Sequence, residues 1–103
     1  MFDETVIVEA ARRLSAAAPQ AQVILFGSHA RGEAGPDSDL DFLIVEPTVD
    51  DPVEESVRLR RTLNGLGLFA DVVVVSTAEA DRWRHVHGTM IHSAFSEGRQ
   101  LAA

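Results

Sequence analysis

The run Ser38-Asp39-Leu40-Asp41-Phe42-Leu43-Ile44-Val45-Glu46-Pro47 decides how the rest of the chain is read. It starts acidic and turns continuously apolar, as a central strand does when its far part is covered on both faces, and Pro47 ends it. Strand side chains alternate between faces. Asp39 and Asp41 therefore project from one side, and Leu40, Phe42 and Ile44 from the other, into the expected core. Carboxylates held side by side raise each other's pKa, a cost accepted where a cation sits between them or where function demands it. A divalent metal is the natural occupant, although an Asp-x-Asp pair alone is common in sequences.

Working outward, Gln22-Val23-Ile24-Leu25-Phe26-Gly27 is a second β-prone run, ending in glycine and followed by a polar, glycine-containing loop from Ser28 to Ser38. Residues 70 to 76 predict a third strand, because the β-branched residues Val72 to Val75 disfavour helix and fit a pleated sheet. Asp71 opens that strand much as the aspartate pair opens its own, so three aspartates at strand starts can converge. A strand cap or a turn residue after Gly67 is the structural alternative for Asp71.

Helical spacing covers the rest. Residues 3 to 18 put Val6, Ala10, Leu14 and Ala17 on one stripe with Ile7, Ala11 and Ala18 beside it, closed by Pro19. From Pro52 to Leu66, Val53, Val57, Leu59, Leu63 and Leu66 recur among charges, with Gly65 and Gly67 as the stop. Two short helices are expected at about 77 to 86 and 88 to 98. This order implies an α/β domain: a small mixed sheet of three or four strands with helices packed mainly on one face.

Composition narrows the chemistry. A chain of 103 residues, 46% of them hydrophobic, suits a single domain over residues 1–103. No apolar stretch is long enough to span a membrane, and the start lacks the pattern of a signal peptide, so a cytoplasmic location is expected. Cysteine is absent, which leaves oxygen or imidazole ligands for any metal and favours a hard cation. The net charge is -7 and every basic residue is arginine, an unpromising balance for gripping a nucleic-acid backbone. The acidic residues Glu33, Asp37, Glu46, Asp50, Asp51, Glu54 and Glu55, which flank the aspartate pair with no basic residue beyond Arg31 and before Arg58, read as a solvated face.

Gly27 and Ser28 lie where the first strand gives way to the loop. Exposed backbone N–H groups and the serine hydroxyl there could hold phosphate oxygens, and glycine permits close backbone approach. An ordinary N-cap at Ser28 and an ordinary turn at Gly27 remain open on local grounds. The combination Gly27-Ser28-His29-Ala30-Arg31-Gly32, followed by Ser38-Asp39-Leu40-Asp41, is more specific: Gly-Ser, ten residues, then Asp-x-Asp.

This pattern resembles the signature of the polymerase-β-like nucleotidyltransferase superfamily, and most closely the minimal nucleotidyltransferase domains, the MntA-like antitoxins often paired with a HEPN-domain toxin. The resemblance runs from about Val23 to Ser76. It implies that Gly27 and Ser28 hold the triphosphate of ATP and that Asp39 and Asp41 ligate Mg²⁺. Asp71 would be the third carboxylate of the metal site and would help activate the attacking hydroxyl. Arg31 would offset charge on the transferred phosphate, or else anchor the loop. The implied reaction transfers AMP to a hydroxyl, a tyrosine of the HEPN-type partner. The alternative is a non-catalytic antitoxin that neutralises its partner by occlusion, for which an acidic surface and a basic partner would be complementary.

Other residues carry less. His85 and His87 are two apart, the wrong spacing for a helical metal pair, and read as surface residues. His29 reads as solvent-facing. Trp83 between Arg82 and Arg84 fits either an interface patch or packing of the last helices.

Overall fold

The computed structural model describes residues 4–27 and 40–102. Its elements are α1 (Glu4–Ala17), β1 (Gln22–Phe26), β2 (Leu40–Glu46), α2 (Pro52–Arg61), β3 (Ala70–Ser76), α3 (Thr77–Trp83), α4 (Met90–Glu97) and β4 (Arg99–Ala102). The four strands form one mixed sheet in the order β3-β2-β1-β4. β1 runs antiparallel to β2 and β4, while β2 and β3 are parallel. A parallel pair needs a crossover, and α2 supplies it.

The alternation of β2 sets the two layers. Leu40, Phe42 and Ile44 are fully buried on one face, with Val23 and Leu25 of β1 and Val72 and Val74 of β3 beside them. The two longer helices cover this face, through Ile7, Ala10 and Leu14 of α1, Leu59 of α2 and Leu63 just after it. Leu43 and Val45 point the other way and join Ile24, Ala80 of α3 and Ala94 of α4 in a second, smaller cluster. The larger core thus lies on one face, as expected, and the short helices close the far half of the other. β2 is covered on both sides, which explains its unbroken apolar run.

Local chemistry fixes the helix ends. Asp51 caps α2, its Oδ1 accepting from the backbone N–H groups of Val53 and Glu54 at 3.1 Å each, and Pro52 occupies the first turn. Glu54 and Glu55 stand in that first turn and Arg58, Arg60 and Arg61 in the last, the charge order that the helix dipole favours. Ser76 and Thr89 cap α3 and α4 through their hydroxyls. Arg58 Nη2 donates to Ala17 O at 3.0 Å, and Arg13 Nη1 to Thr62 O at 3.1 Å and Asn64 O at 3.0 Å, so each end of the α1–α2 contact satisfies terminal carbonyls.

Three boundaries differ from the expectations. α2 ends at Arg61 instead of Leu66, because residues 62–66 unwind into turns ahead of Gly65, whose φ is +90°. The helix expected to 86 stops at Trp83, and the one expected over 88–98 is shortened at its end by β4. β4 was not foreseen as an element. Among the described residues, no helix is long and apolar enough to cross a membrane.

Candidate active site

The antiparallel pairing of β1 and β2 brings the end of one strand to the start of the other: Phe26 is the register partner of Asp41, and Gly27 follows directly. Gly27 turns with φ of +79°, a conformation few side chains tolerate. It also has a neighbour. A Cβ added to Gly27 would stand 2.5 Å from Asp41 Oδ2 and 3.4 Å from Asp41 Cγ, so the carboxylate lies in the space a side chain would fill.

On the other side of β2, the parallel register pairs Asp41 directly with Asp71. Register partners on neighbouring strands point to the same face and sit about 5 Å apart at Cα. Asp41 is half-buried and Asp71 exposed. The end of the sheet therefore presents, in lateral order, Gly27 on β1's exit, Asp41 on β2 and Asp71 on β3. Both carboxylates stand on the face whose far half α3 and α4 cover, and those helices pack further along the strands. Of the three aspartates expected to converge, the register sets Asp41 and Asp71 side by side on one face, and Asp39 lies outside the described residues.

Ser28, His29, Arg31 and Asp39 lie outside the described residues. Among those described there is no group of three His, Cys, Asp or Glu side chains placed to hold a metal ion. Asp41 and Asp71 form a pair of hard oxygen donors on one face, open to solvent on the Asp71 side. That donor set fits a magnesium ion, which takes a few carboxylates and keeps positions for water or phosphate.

Among the described residues, a larger cavity lies away from this site. About 820 Å³ opens at the opposite end of β2, lined by Glu46, Asp51, Glu54, Glu55 and Arg58 among others. Several of its charges are engaged within the chain: Asp51 caps α2, and Glu55 accepts from Arg58 Nε at 2.6 Å and Nη2 at 2.7 Å. Burial pushes Glu46 up to about 7, helped by the neighbouring Glu55 carboxylate, and the Arg58 bonds hold Glu55 down to about 2. This end is therefore structural, and only part of the acidic run is the plain solvated face expected from sequence. A second cavity of about 640 Å³ touches the candidate site directly, with Phe69, Ala70 and Asp71 on its wall. Phe69 carried no signal in the sequence reading beyond preceding the third strand.

The secondary candidates resolve simply. His85 and His87 are exposed, as expected, and the ring of His87 lies 4.2 Å from that of His92. Trp83 is half-buried, donates from Nε1 to Glu79 Oε2 at 3.0 Å and lies under Arg82, so packing within the chain accounts for it.

A four-stranded mixed sheet with a glycine turn and register-paired aspartates at one end defines a nucleotidyltransferase architecture. The chain belongs to the nucleotidyltransferase domain family, which it matches over residues 7–92. Among solved structures it is similar to one from Sulfolobus solfataricus assigned to the nucleotidyltransferases, at 21% identity and a TM-score of 0.62, covering 93% of this chain and 76% of that one. A variant of the toxin–antitoxin MntA-HpeT is similar at 19% identity and a TM-score of 0.61, with 97% and 73% covered. A toxin–antitoxin structure with AMP-PNP follows at 21% identity and a TM-score of 0.55, with 91% and 71% covered. At these identities the likeness is one of fold. No curated protein matches the chain in sequence.

Proposed function

We propose that this chain transfers AMP from ATP to a hydroxyl of a partner protein, a HEPN-type toxin whose tyrosine is the acceptor, and so acts as the antitoxin of a pair. The observation that carries the reading is the register pairing of Asp41 with Asp71 on one face, against the glycine turn at Gly27. The family match supports nucleotidyl transfer in general. The fold likeness to toxin–antitoxin structures, one of them with AMP-PNP, supports the choice of partner and nucleotide.

In this reading Gly27 and Ser28 receive the triphosphate, Asp39, Asp41 and Asp71 hold Mg²⁺, and Arg31 lies near the phosphates. The bound metal would neutralise charge that develops on the phosphate oxygens. Asp71 accepts the proton of the acceptor hydroxyl. The hydroxyl oxygen forms a bond to the α-phosphorus in line with the bond to the β-phosphate, which breaks, and pyrophosphate leaves with the electron pair. Positioning does much of the rest, because two substrates held at one sheet end react as a single molecule would.

The test is label transfer from [α-³²P]ATP to the product of the adjacent gene in the presence of Mg²⁺. Asp41→Asn and Asp71→Asn should each reduce the rate by at least about 100-fold. Transfer that survives both substitutions refutes the site. Neutralisation of the partner that survives both without any transfer would select the occlusion reading instead.

A further inference from the structure

The lateral order of the site gives its substrates separate sides. The glycine turn is on β1, Asp41 is central and Asp71 is on β3, which is the edge of the sheet. A triphosphate at Gly27 leaves the side beyond Asp71 for the second substrate. A cleft of about 640 Å³ opens there, bounded by Arg60 and Leu63 at the end of the crossover helix and by Phe69 and Asp71. Its volume suits one side chain with part of its backbone, being within the usual size range for small-ligand pockets.

Three features make this cleft a built surface. Phe69 is 78% exposed, the only aromatic among the exposed large hydrophobics of the described residues. Its backbone is fixed all the same, because Phe69 O accepts from Leu40 N at 3.0 Å, one residue before Asp41. The backbone that carries the ring is therefore held two residues before Asp71 and beside the start of β2. Gly65 and Gly67, with φ of +90° and +70°, line the same cleft, and a Cβ on either would meet nothing within 4 Å. The wall is thus open where side chains would otherwise narrow it.

We infer that this cleft is the acceptor pocket: a phenol side chain of the partner protein stacks on Phe69 and points its hydroxyl at Asp71. An exposed phenyl ring on a rigid backbone selects flat apolar groups, and aromatic pairs gain from offset or edge contact beyond their buried area. A serine or threonine side chain has no ring to stack on Phe69. A ribose hydroxyl with its base on Phe69 would fit the shape, but the chain's charge of -7 opposes a polynucleotide. Phe69 is then a positioning residue for the acceptor. The inference rests on the proposed function for its direction, since the function sets which side the nucleotide occupies.

The experiment uses the ¹⁵N-labelled chain and two-dimensional amide spectra, titrated with ATP and Mg²⁺ and then with N-acetyltyrosinamide, N-acetylserinamide or uridine. N-acetyltyrosinamide should shift the amides of Gly65 to Asp71, with N-acetylserinamide and uridine at least about 3-fold weaker. Phe69→Ser, exposed and so neutral for folding, should weaken the tyrosine probe about 3- to 10-fold, and Phe69→Trp should restore it. The response of Gly27 and Asp41 to ATP and Mg²⁺ should be the same in all three proteins. Tyrosine shifts that are absent, lie elsewhere, are matched by the other probes or ignore Phe69→Ser overturn the acceptor pocket while leaving the nucleotide site standing. Gly27 and Asp41 amides that ignore ATP and Mg²⁺ overturn the functional reading itself.

Discussion

A single hydrogen at Gly27 does two jobs, and substitution separates them. Alanine there meets both a positive φ and the Asp41 carboxylate, whereas alanine at Gly65 meets a positive φ in open space. The backbone strain alone costs about 1 kcal/mol. Gly65→Ala should therefore lower the urea-unfolding stability by about that much, and Gly27→Ala by about 2 kcal/mol or more, since Asp41 must also move. Equal losses in the two variants would mean that the carboxylate yields freely. Label transfer should fall at least about tenfold in Gly27→Ala, because that substitution displaces an aspartate of the site. At this scale the sequence was informative. Alternation alone sent Leu40, Phe42 and Ile44 inward, and all three are fully buried. Gly27, Asp41 and Asp71 could be named because charge and glycine at strand ends are costly and hence meaningful. Phe69 could not, since exposure of a hydrophobic residue depends on what fails to pack over it, and no local pattern records that.

Among the elements, α2 is the crossover that allows β2 and β3 to pair in parallel, the register that sets Asp41 beside Asp71. Its N-terminal N–H groups depend on Asp51, whose side chain accepts two of them. Asp51→Ala should cost about 1 kcal/mol by chemical denaturation, and Asp51→Ser should recover most of it. A loss of only a tenth of that in the alanine variant would show that Pro52 and the first-turn glutamates suffice. The same scale shows why β4 escaped the sequence reading. Arg99-Gln100-Leu101-Ala102 lacks β-branched residues, and it becomes a strand by pairing with β1 through an irregular register at Val23 and Ile24. Gly98 admits it: a Cβ there would collide with Ala94 O and Ile24 Cγ2 as α4 turns into the sheet edge. Tertiary pairing, which no propensity encodes, decides that segment. The order β3-β2-β1-β4 was similarly hidden, because hydrophobic pattern identifies strands without saying which are neighbours.

For the whole molecule, acidity and stability meet in one pair at the end of β2 remote from the aspartates. Glu46 Oε2 is buried with no hydrogen-bond partner, and Glu55 beside it is kept ionised by Arg58. A proton on Glu46 turns an unsatisfied acceptor into a donor toward Glu55, consistent with its rise to about 7, which burial causes first. Unfolded, both carboxyls titrate near 4.5. Between pH 4.5 and 7 the folded chain thus holds a proton that the unfolded chain has released, so stability falls as pH rises through that window. Below 4.5 Glu55 acts in the opposite sense. The folded chain keeps it charged down to about 2 while the unfolded chain takes up the proton, so stability falls again as pH drops. The groups that face Glu46 are Glu55 and Arg58 from α2, and Thr77 Oγ1, which donates to its backbone carbonyl. Glu46→Gln supplies a permanent donor of the same shape. It should gain about 1 to 2 kcal/mol at pH 8, after discounting for partial solvent access, and gain nothing at pH 4.5. The stability profile of the variant between those values should be flatter than that of the parent, measured by urea unfolding at fixed ionic strength. A parallel profile would mean that Glu46 is ionised in the folded chain throughout. Because the β2–β3 register pairs Asp41 with Asp71 at the other end of the strands, the same substitution should leave label transfer at pH 7 within about twofold of the parent.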